Sequence, residues 1–353
     1  KDPRDPAPGV GKSSIASHVD ASTSKDPRDP GSLPSKAPMD DVEHCGEKTF
    51  DIAGWFRRRH RPGNPPLFLS RENHTDLAVL RNRNRPPPFG IESVRPYSLQ
   101  RALSVALPKI EFGDGSCAVV GNAGSLVGSK FGDQIDAHSY VIRMNAAKTI
   151  GYEADVGSKT NLTLFYPDFV MDMEDHASPY VFWTARPGGY QWLERAFTHE
   201  GRLPYLEKNM AGRIPNWAGA YSEDEPPPGR GNGIALLHPG FIEYVHHVWN
   251  EGKGVWPSTG QLAVMLALQL CRDNVSIYGF DRYMGYSDQY HLSERQSKQH
   301  DWGMETAVRR CLHLGSKISF PTQVPNTTLE DDLRELDVLT NSNRHHTGSL
   351  SST

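Results

Sequence analysis

Two short stretches carry the residue types that anion binding and proton transfer need. Pro257-Ser258-Thr259-Gly260 places two hydroxyls and a glycine directly ahead of the apolar run Gln261–Cys271. At a helix start those hydroxyls and the free backbone N–H groups can hold a phosphate or carboxylate, or simply cap the helix. His300-Asp301-Trp302-Gly303-Met304-Glu305 combines an imidazole able to take a proton from a hydroxyl with a carboxylate that can orient the ring. A third stretch, Gly121-Asn122-Ala123-Gly124-Ser125, lies between the apolar run Cys117–Val120 and the segment Leu126–Asp136, which can begin a helix. Strand, glycine turn and helix together point to a phosphate or nucleotide at the helix N-terminus.

These signals have rivals. A dinucleotide fold wants a carboxylate at the end of the second strand, where this chain has Arg143 and Asn145. An arginine there could instead meet a 2′-phosphate, so an NADP-dependent oxidoreductase stays open, although no Tyr-x-x-x-Lys pair is present for its hydride chemistry. Gly9-Val10-Gly11-Lys12-Ser13 resembles the end of a phosphate loop, but Pro6 replaces the leading glycine and no apolar strand precedes it. Asp172-Met173-Glu174-Asp175 lacks the Asp-x-Asp form of a metal-binding motif and reads as a solvated loop.

The elements that must position these residues follow from apolar periodicity. Tyr140–Asn145, Asn161–Phe165 and Val275–Gly279 read as strands beside Cys117–Val120, and Gln261–Cys271 as a helix. Strands alternating with helices predict an α/β sandwich around a mostly parallel sheet, with ligands in the crevice at the strands' C-terminal ends. Between Asp168 and Lys253, Trp183, Tyr190, Trp192, Trp217, Tyr221 and Trp249 are interspersed with Gly and Pro; they suit stacking on a sugar or ordinary core packing.

Residues 1–100 read as a Pro-rich stem, with Lys-Asp-Pro-Arg-Asp-Pro at Lys1–Pro6 and again at Lys25–Pro30, and arginine runs near Arg57–Arg61. So few apolar residues cannot bury enough surface to offset their ordering entropy. The catalytic domain is expected over 101–330, and 331–353 as a polar tail. A net charge of −4 among 353 residues gives no general reason to expect nucleic-acid binding. The longest apolar run, Leu262–Leu270, is about half of what spans a membrane. Any anchor would precede Lys1. Cys45, Cys117, Cys271 and Cys311 lack metal-site spacing, which leaves buried thiols or disulfides open. Asn-x-Ser/Thr triplets begin at Asn73, Asn161, Asn274 and Asn326.

Taken together, the motifs resemble those of the eukaryotic sialyltransferases, glycosyltransferase family 29. Cys117–Pro167 is similar to the long sialyl motif, including Val141-Ile142-Arg143-Met144-Asn145 and Asp155-Val156-Gly157-Ser158-Lys159-Thr160. Pro257–Asp281 resembles the short motif and His300-x4-Glu305 the very short one. The resemblance implies a GT-A-like variant of the Rossmann-type αβα sandwich and inverting, metal-independent transfer from CMP-sialic acid. The implied acceptor is a galactose-terminated glycoprotein or glycolipid, and the implied address is the Golgi lumen, through an N-terminal anchor absent from this sequence. It implies that Asn122, Ser125, Asn145, Ser258, Thr259, Gly260, Phe280, Tyr290 and His291 bind the donor, that His300 is the base and that Cys117 pairs with Cys271. Cys45 and Cys311 are the remaining pair. The small third motif departs from the family pattern, since Gln289 stands where a histidine is common. Leu164–Pro167 and His238–Val245 resemble the subfamily forming α2,3 bonds to β-galactose. CMP-Kdo, offering the same carboxylate and leaving group, stays open as donor, as does a weakened family member.

Overall fold

The short apolar runs become strands because both of their faces are covered. The computed structural model describes residues 42, 44–63, 65–69, 110–167, 178–185, 189, 234–280 and 299–321. Within them lie β1 (Cys117–Val120), β2 (Tyr140–Met144), β3 (Leu162–Phe165), β4 (Tyr180–Phe182), β5 (Ile234–Leu236) and β6 (Val275–Tyr278). They form one sheet in the order β5-β4-β3-β2-β1-β6, every pair parallel. The chain steps outward from β1 to β5 and then crosses back to place β6 on the other side of β1. The order therefore reverses beside β1, and the crevice at the strands' C-terminal ends there is where such sheets bind ligands.

The pleat sends Cys117 and Val119 to one face and Ala118 and Val120 to the other. The first face is covered by helix α5 (Thr259–Leu270), whose residues Leu262–Ala267 are all buried. A helix buried nearly all round needs apolar residues on every side, which Leu262–Leu268 supplies, and the buried Gln261 has hydrogen-bond partners in Asn250 and Arg309. Around it pack α1 (Ile52–Arg59), α4 (Pro239–Tyr244), a π-helical turn Val245–Trp249 and α6 (Trp302–Leu314). The second face receives a 3₁₀ turn (Gly124–Leu126), α2 (Gly132–Asp136) and α3 (Glu153–Val156) through Leu126, Ile135 and Val156.

The expected helix over Leu126–Asp136 is not continuous. Gly128 and Lys130 adopt φ of +76° and +57°, and the Asp155 carboxylate accepts from their N–H groups at 2.8 and 3.0 Å. A carboxylate that satisfies loop amides outcompetes helix propagation over so short a span.

Part of the expected stem belongs to the core. Trp55 of α1 is fully buried, edge-on to Trp249 at 5.6 Å. Arg59 pairs with Glu251 at 2.7 Å with both side chains almost wholly buried, and the Tyr244 hydroxyl donates to the Arg59 carbonyl. Residues 67–69 border β5 antiparallel: Leu69 N–H donates to the Leu236 carbonyl, and His238 N–H to that of Leu67, both at 2.8 Å. A disulfide joins Cys45 to Cys311 of α6, and a second joins Cys117 of β1 to Cys271 at the C-cap of α5, with Cα–Cα separations of 5.6 and 6.2 Å. Of the arginine run, Arg59 is buried in its neutralised pair with Glu251, whereas Arg57 and Arg58 stay exposed.

Two stability measurements check this architecture. Trp55→Ala should cost about 3–5 kcal/mol in denaturant unfolding, as for a buried core tryptophan; a change within about 0.5 kcal/mol would return this segment to the surface. His246 in the π-helical turn is held neutral by burial, and secondarily by His247, its pKa pushed down to about 4. The folded protein then resists a proton that the unfolded chain accepts. Stability should be level above about pH 6.5 and fall as pH drops towards 4. His246→Gln should flatten that slope in melting temperature against pH.

Candidate active site

The N-terminus of α5 uses its two hydroxyls differently from the expectation. Ser258 is the N-cap: its Oγ accepts from Gln261 N–H at 3.0 Å and donates to Glu305 Oε2 at 2.6 Å. Its backbone N–H donates to Glu305 Oε1 at 2.7 Å. The Ser258 hydroxyl is therefore committed to holding the turn and is not a ligand donor. Thr259 Oγ1 accepts from Trp183 Nε1 at 3.1 Å, which leaves its own O–H as a donor. The N–H groups of Thr259 and Gly260 open the helix and have no acceptor inside it. They carry the positive end of a 12-residue helix dipole. A Cβ on Gly260 would lie 3.1 Å from Phe280 Cε1, so the glycine lets the turn close on that ring.

His300 is held beside this turn. Its Nδ1 lies 3.0 Å from the Trp256 carbonyl oxygen. A carbonyl only accepts, so Nδ1 carries the proton and the lone pair of the neutral ring is on Nε2. Val255 N–H donates to the Gln299 carbonyl at 2.7 Å, joining the segment before Ser258 to the segment before α6. The expectation that Glu305 orients the imidazole is corrected: both its oxygens bind Ser258, and a backbone carbonyl orients the ring. Glu305, in the first turn of α6, is fully buried against Ser258, while His300 precedes the N-cap Asp301 and lies outside the helix.

Asn122 and Asn145 sit at the C-terminal ends of β1 and β2. Asn122 Nδ2 donates to the Met144 carbonyl at 3.4 Å, while its Oδ1 is buried without a partner among the described residues. Such an acceptor costs about 1–3 kcal/mol unless a ligand supplies a donor. Asn145 adopts φ +50°, a left-handed conformation asparagine tolerates, and its Oδ1 accepts from Tyr166 N–H at 2.9 Å. Gly121 is required by close approach: a Cβ there would strike the Gly279 carbonyl of the turn after β6. No long helix follows this turn, and Gly121 packs the end of β1 against the turn after β6. Ser125 lies in the 3₁₀ turn. Gln289, Tyr290 and His291 lie outside the described residues, as do Tyr190, Trp192, Trp217 and Tyr221, whereas Trp183 and Trp249 are buried core residues.

Arg143 cannot meet a 2′-phosphate. It is fully buried, with Nε donating to Thr160 Oγ1 at 2.9 Å and Nη2 to the Val156 and Lys159 carbonyls at 2.9 and 2.8 Å. Burial works against ionisation of the nearby Asp136. It is outweighed by hydrogen bonds from Ser158 and Lys159, with help from Arg143, and the pKa is held below the usual carboxylate value. The segment Asp155–Thr160 therefore braces the end of β2. Trp256, Arg143 and Asp136 act through packing and backbone contacts that residue spacing does not display. Among the described residues no group of three or more His, Cys, Asp or Glu is placed to hold a metal ion.

The family profile described as glycosyltransferase family 29 (sialyltransferase) matches residues 68–317. A human CMP-N-acetylneuraminate-beta-galactosamide-alpha-2,3-sialyltransferase 1 is 36% identical over 245 residues, 67% of each chain. A mouse alpha-N-acetylgalactosaminide alpha-2,6-sialyltransferase 2 is 38% identical over 221 residues, 56% of this chain and 57% of the relative. The crystal structure of a mammalian sialyltransferase superposes with a TM-score of 0.55 at 28% identity, covering 78% of this chain and 96% of that one. A second such crystal structure, in complex with Gal-beta-1-3GalNAc-ortho-nitrophenol, gives 0.54 at 27%, covering 78% and 97%. The sheet order with its reversal beside β1, the serine-capped start of α5, the histidine tied to the segment before it and these likenesses agree, and the NADP alternative falls with Arg143: the chain belongs to the sialyltransferases of glycosyltransferase family 29.

Proposed function

We propose that the protein transfers sialic acid from CMP-sialic acid to a galactose hydroxyl of a glycan, forming an α2,3 bond with inversion at the anomeric carbon. The observation that carries this reading is the tie between His300 and Trp256, two residues ahead of Ser258, which sets a base beside an anion-binding helix start. His300 Nε2 takes the proton of the acceptor hydroxyl as its oxygen bonds to the anomeric carbon. The bond from that carbon to the CMP phosphate breaks on the opposite side. Charge gathering on the departing phosphate is met by the Thr259 and Gly260 N–H groups, the Thr259 hydroxyl and the α5 dipole. Asn122 Oδ1 offers its unused lone pairs to a donor group of the nucleotide. Tyr290, His291 and Ser125 complete the proposed donor site, without a metal cofactor.

The human relative's name, with beta-galactosamide and alpha-2,3 in it, supports a galactose-containing acceptor and the α2,3 bond. The similarity to the mouse α2,6 enzyme favours one rival, transfer to N-acetylgalactosamine. Two disulfides support work in an oxidising compartment, for which we propose the Golgi lumen, with membrane attachment through an N-terminal anchor. No helix among the described residues is long and apolar enough to cross a membrane.

The test is mass analysis of Gal-β1,3-GalNAc and GalNAc acceptors incubated with CMP-Neu5Ac or CMP-Kdo, followed by α2,3-specific sialidase. Sialidase-sensitive product on galactose is expected from CMP-Neu5Ac. Resistant product on GalNAc would establish the α2,6 rival, and product from CMP-Kdo alone would replace the donor. His300→Ala should lower kcat by about 10²–10⁴-fold and abolish the acid limb of its pH profile. Stabilisation by CMP, about 2.7 kcal/mol at 100 times its Kd, should persist. Activity unchanged at neutral pH would remove His300 from the base role.

A further inference from the structure

We infer that Arg309 is a positioning residue for the donor side of the reaction, acting through Glu305 and Phe280 on the turn that receives the leaving phosphate. It rests on the donor-site reading above, and its argument is a buried polar chain. Asn250 Oδ1 accepts from Gln261 Nε2 at 3.0 Å, and Gln261 Oε1 accepts from Arg309 Nη1 at 3.1 Å. That same Nη1 lies 3.6 Å from Glu305 Oε2, and Nη2 donates to Thr306 Oγ1 at 3.2 Å. Glu305 in turn holds Ser258 through both its oxygens. Asn250, Gln261, Glu305, Arg309 and Ser258 are all buried, Glu305 and Gln261 completely. The Arg309 guanidinium carbon also sits 5.3 Å from the centre of the Phe280 ring, against which Gly260 closes.

Such a pair is poorly explained as a source of stability. Two charges taken out of water lose hydration that their attraction barely offsets, and apolar residues of the same size serve as well or better. Its geometry does have a use. A lone carboxylate beside the turn would repel the phosphate that the turn must take. The guanidinium offsets that charge, and its planar fork reaches Gln261 on α5 and Thr306 on α6 at once. Lysine has one compact charged head and cannot fill both places. The same cation backs the Phe280 ring, so one side chain fixes both the anion-binding amides and the wall beside them.

Arg309→Lys and Arg309→Gln, with wild type, separate the possibilities through CMP affinity by calorimetry, donor and acceptor KM, and the pH profile of kcat. Wild type should bind CMP, and each variant should bind it at least 10-fold more weakly. Donor KM should rise in step, while acceptor KM and the acid limb of the kcat profile stay as in wild type, because His300 is held by Trp256. Unchanged CMP affinity in a folded Arg309→Lys enzyme would overturn the proposal. So would a displaced acid limb, which would return the pair to the base. Wild type that binds no CMP would instead overturn the donor-site reading itself. If Arg309→Lys fails to fold, Arg309→Gln, which keeps a hydrogen-bond donor but leaves Glu305 without its cation, carries the same measurements.

Discussion

A carboxylate with no exposure to water grips one serine twice, and the arrangement of the site depends on that grip. Glu305 takes the backbone N–H and the hydroxyl of Ser258. It thereby satisfies donors at the start of α5 that a ligand would otherwise have to share. The first two amides inside the helix, those of Thr259 and Gly260, are left pointing at the crevice. Since α5 is buried against β1, β2, β3 and β6, the turn cannot move without moving the core. A preorganised dipole needs no reorganisation when charge develops on a leaving group.

The parallel sheet explains why these groups can meet. Every strand presents its C-terminal end on one edge, and the reversal of order beside β1 brings the ends of β1, β2 and β6 together there. Gly121 and Gly279 let two turns close on each other, and Arg143 locks the end of β2 to the segment after α3. The disulfide from Cys117 to Cys271 closes the opposite ends of β1 and α5. By the chain-entropy model, a loop of its 154-residue separation restricts the unfolded chain by about 5 kcal/mol.

The legible parts of this structure are those where the pattern is local. Cys117–Val120, Tyr140–Met144, Leu162–Phe165 and Val275–Tyr278 are short apolar runs bounded by turn residues, and α5 is an apolar run behind a capping serine. Two things were hidden. The segment 42–69 is rich in arginine and proline, and its burial depends on partners about 200 residues away: Trp55 on Trp249 and Arg59 on Glu251. The partner of Glu305 was hidden as well. His300 and Glu305 look like a couple in sequence, yet His300 precedes the N-cap Asp301 and is tied to the Trp256 carbonyl, while Glu305 lies inside α6. Only contact with α5 identifies Ser258 as the partner of Glu305.

The bonds from Ser258 to Glu305 leave the proposed base, His300, to a backbone carbonyl. A carboxylate beside an imidazole stabilises the imidazolium, whereas the neutral Trp256 carbonyl orients the ring and fixes its tautomer with less help to the charged form. The full negative charge is spent on the turn, close to where a phosphate would depart. Two unit charges about 7 Å apart repel by roughly 2 kcal/mol at an effective dielectric near 20, enough to weaken anion binding more than tenfold if nothing opposed it. The Arg309 guanidinium 3.6 Å from Glu305 and the positive end of α5 both oppose it. In the proposed donor site, rigidity at the turn and affinity for an anion make opposite demands on one carboxylate, and the buried Arg309 on the same helix is placed to reconcile them.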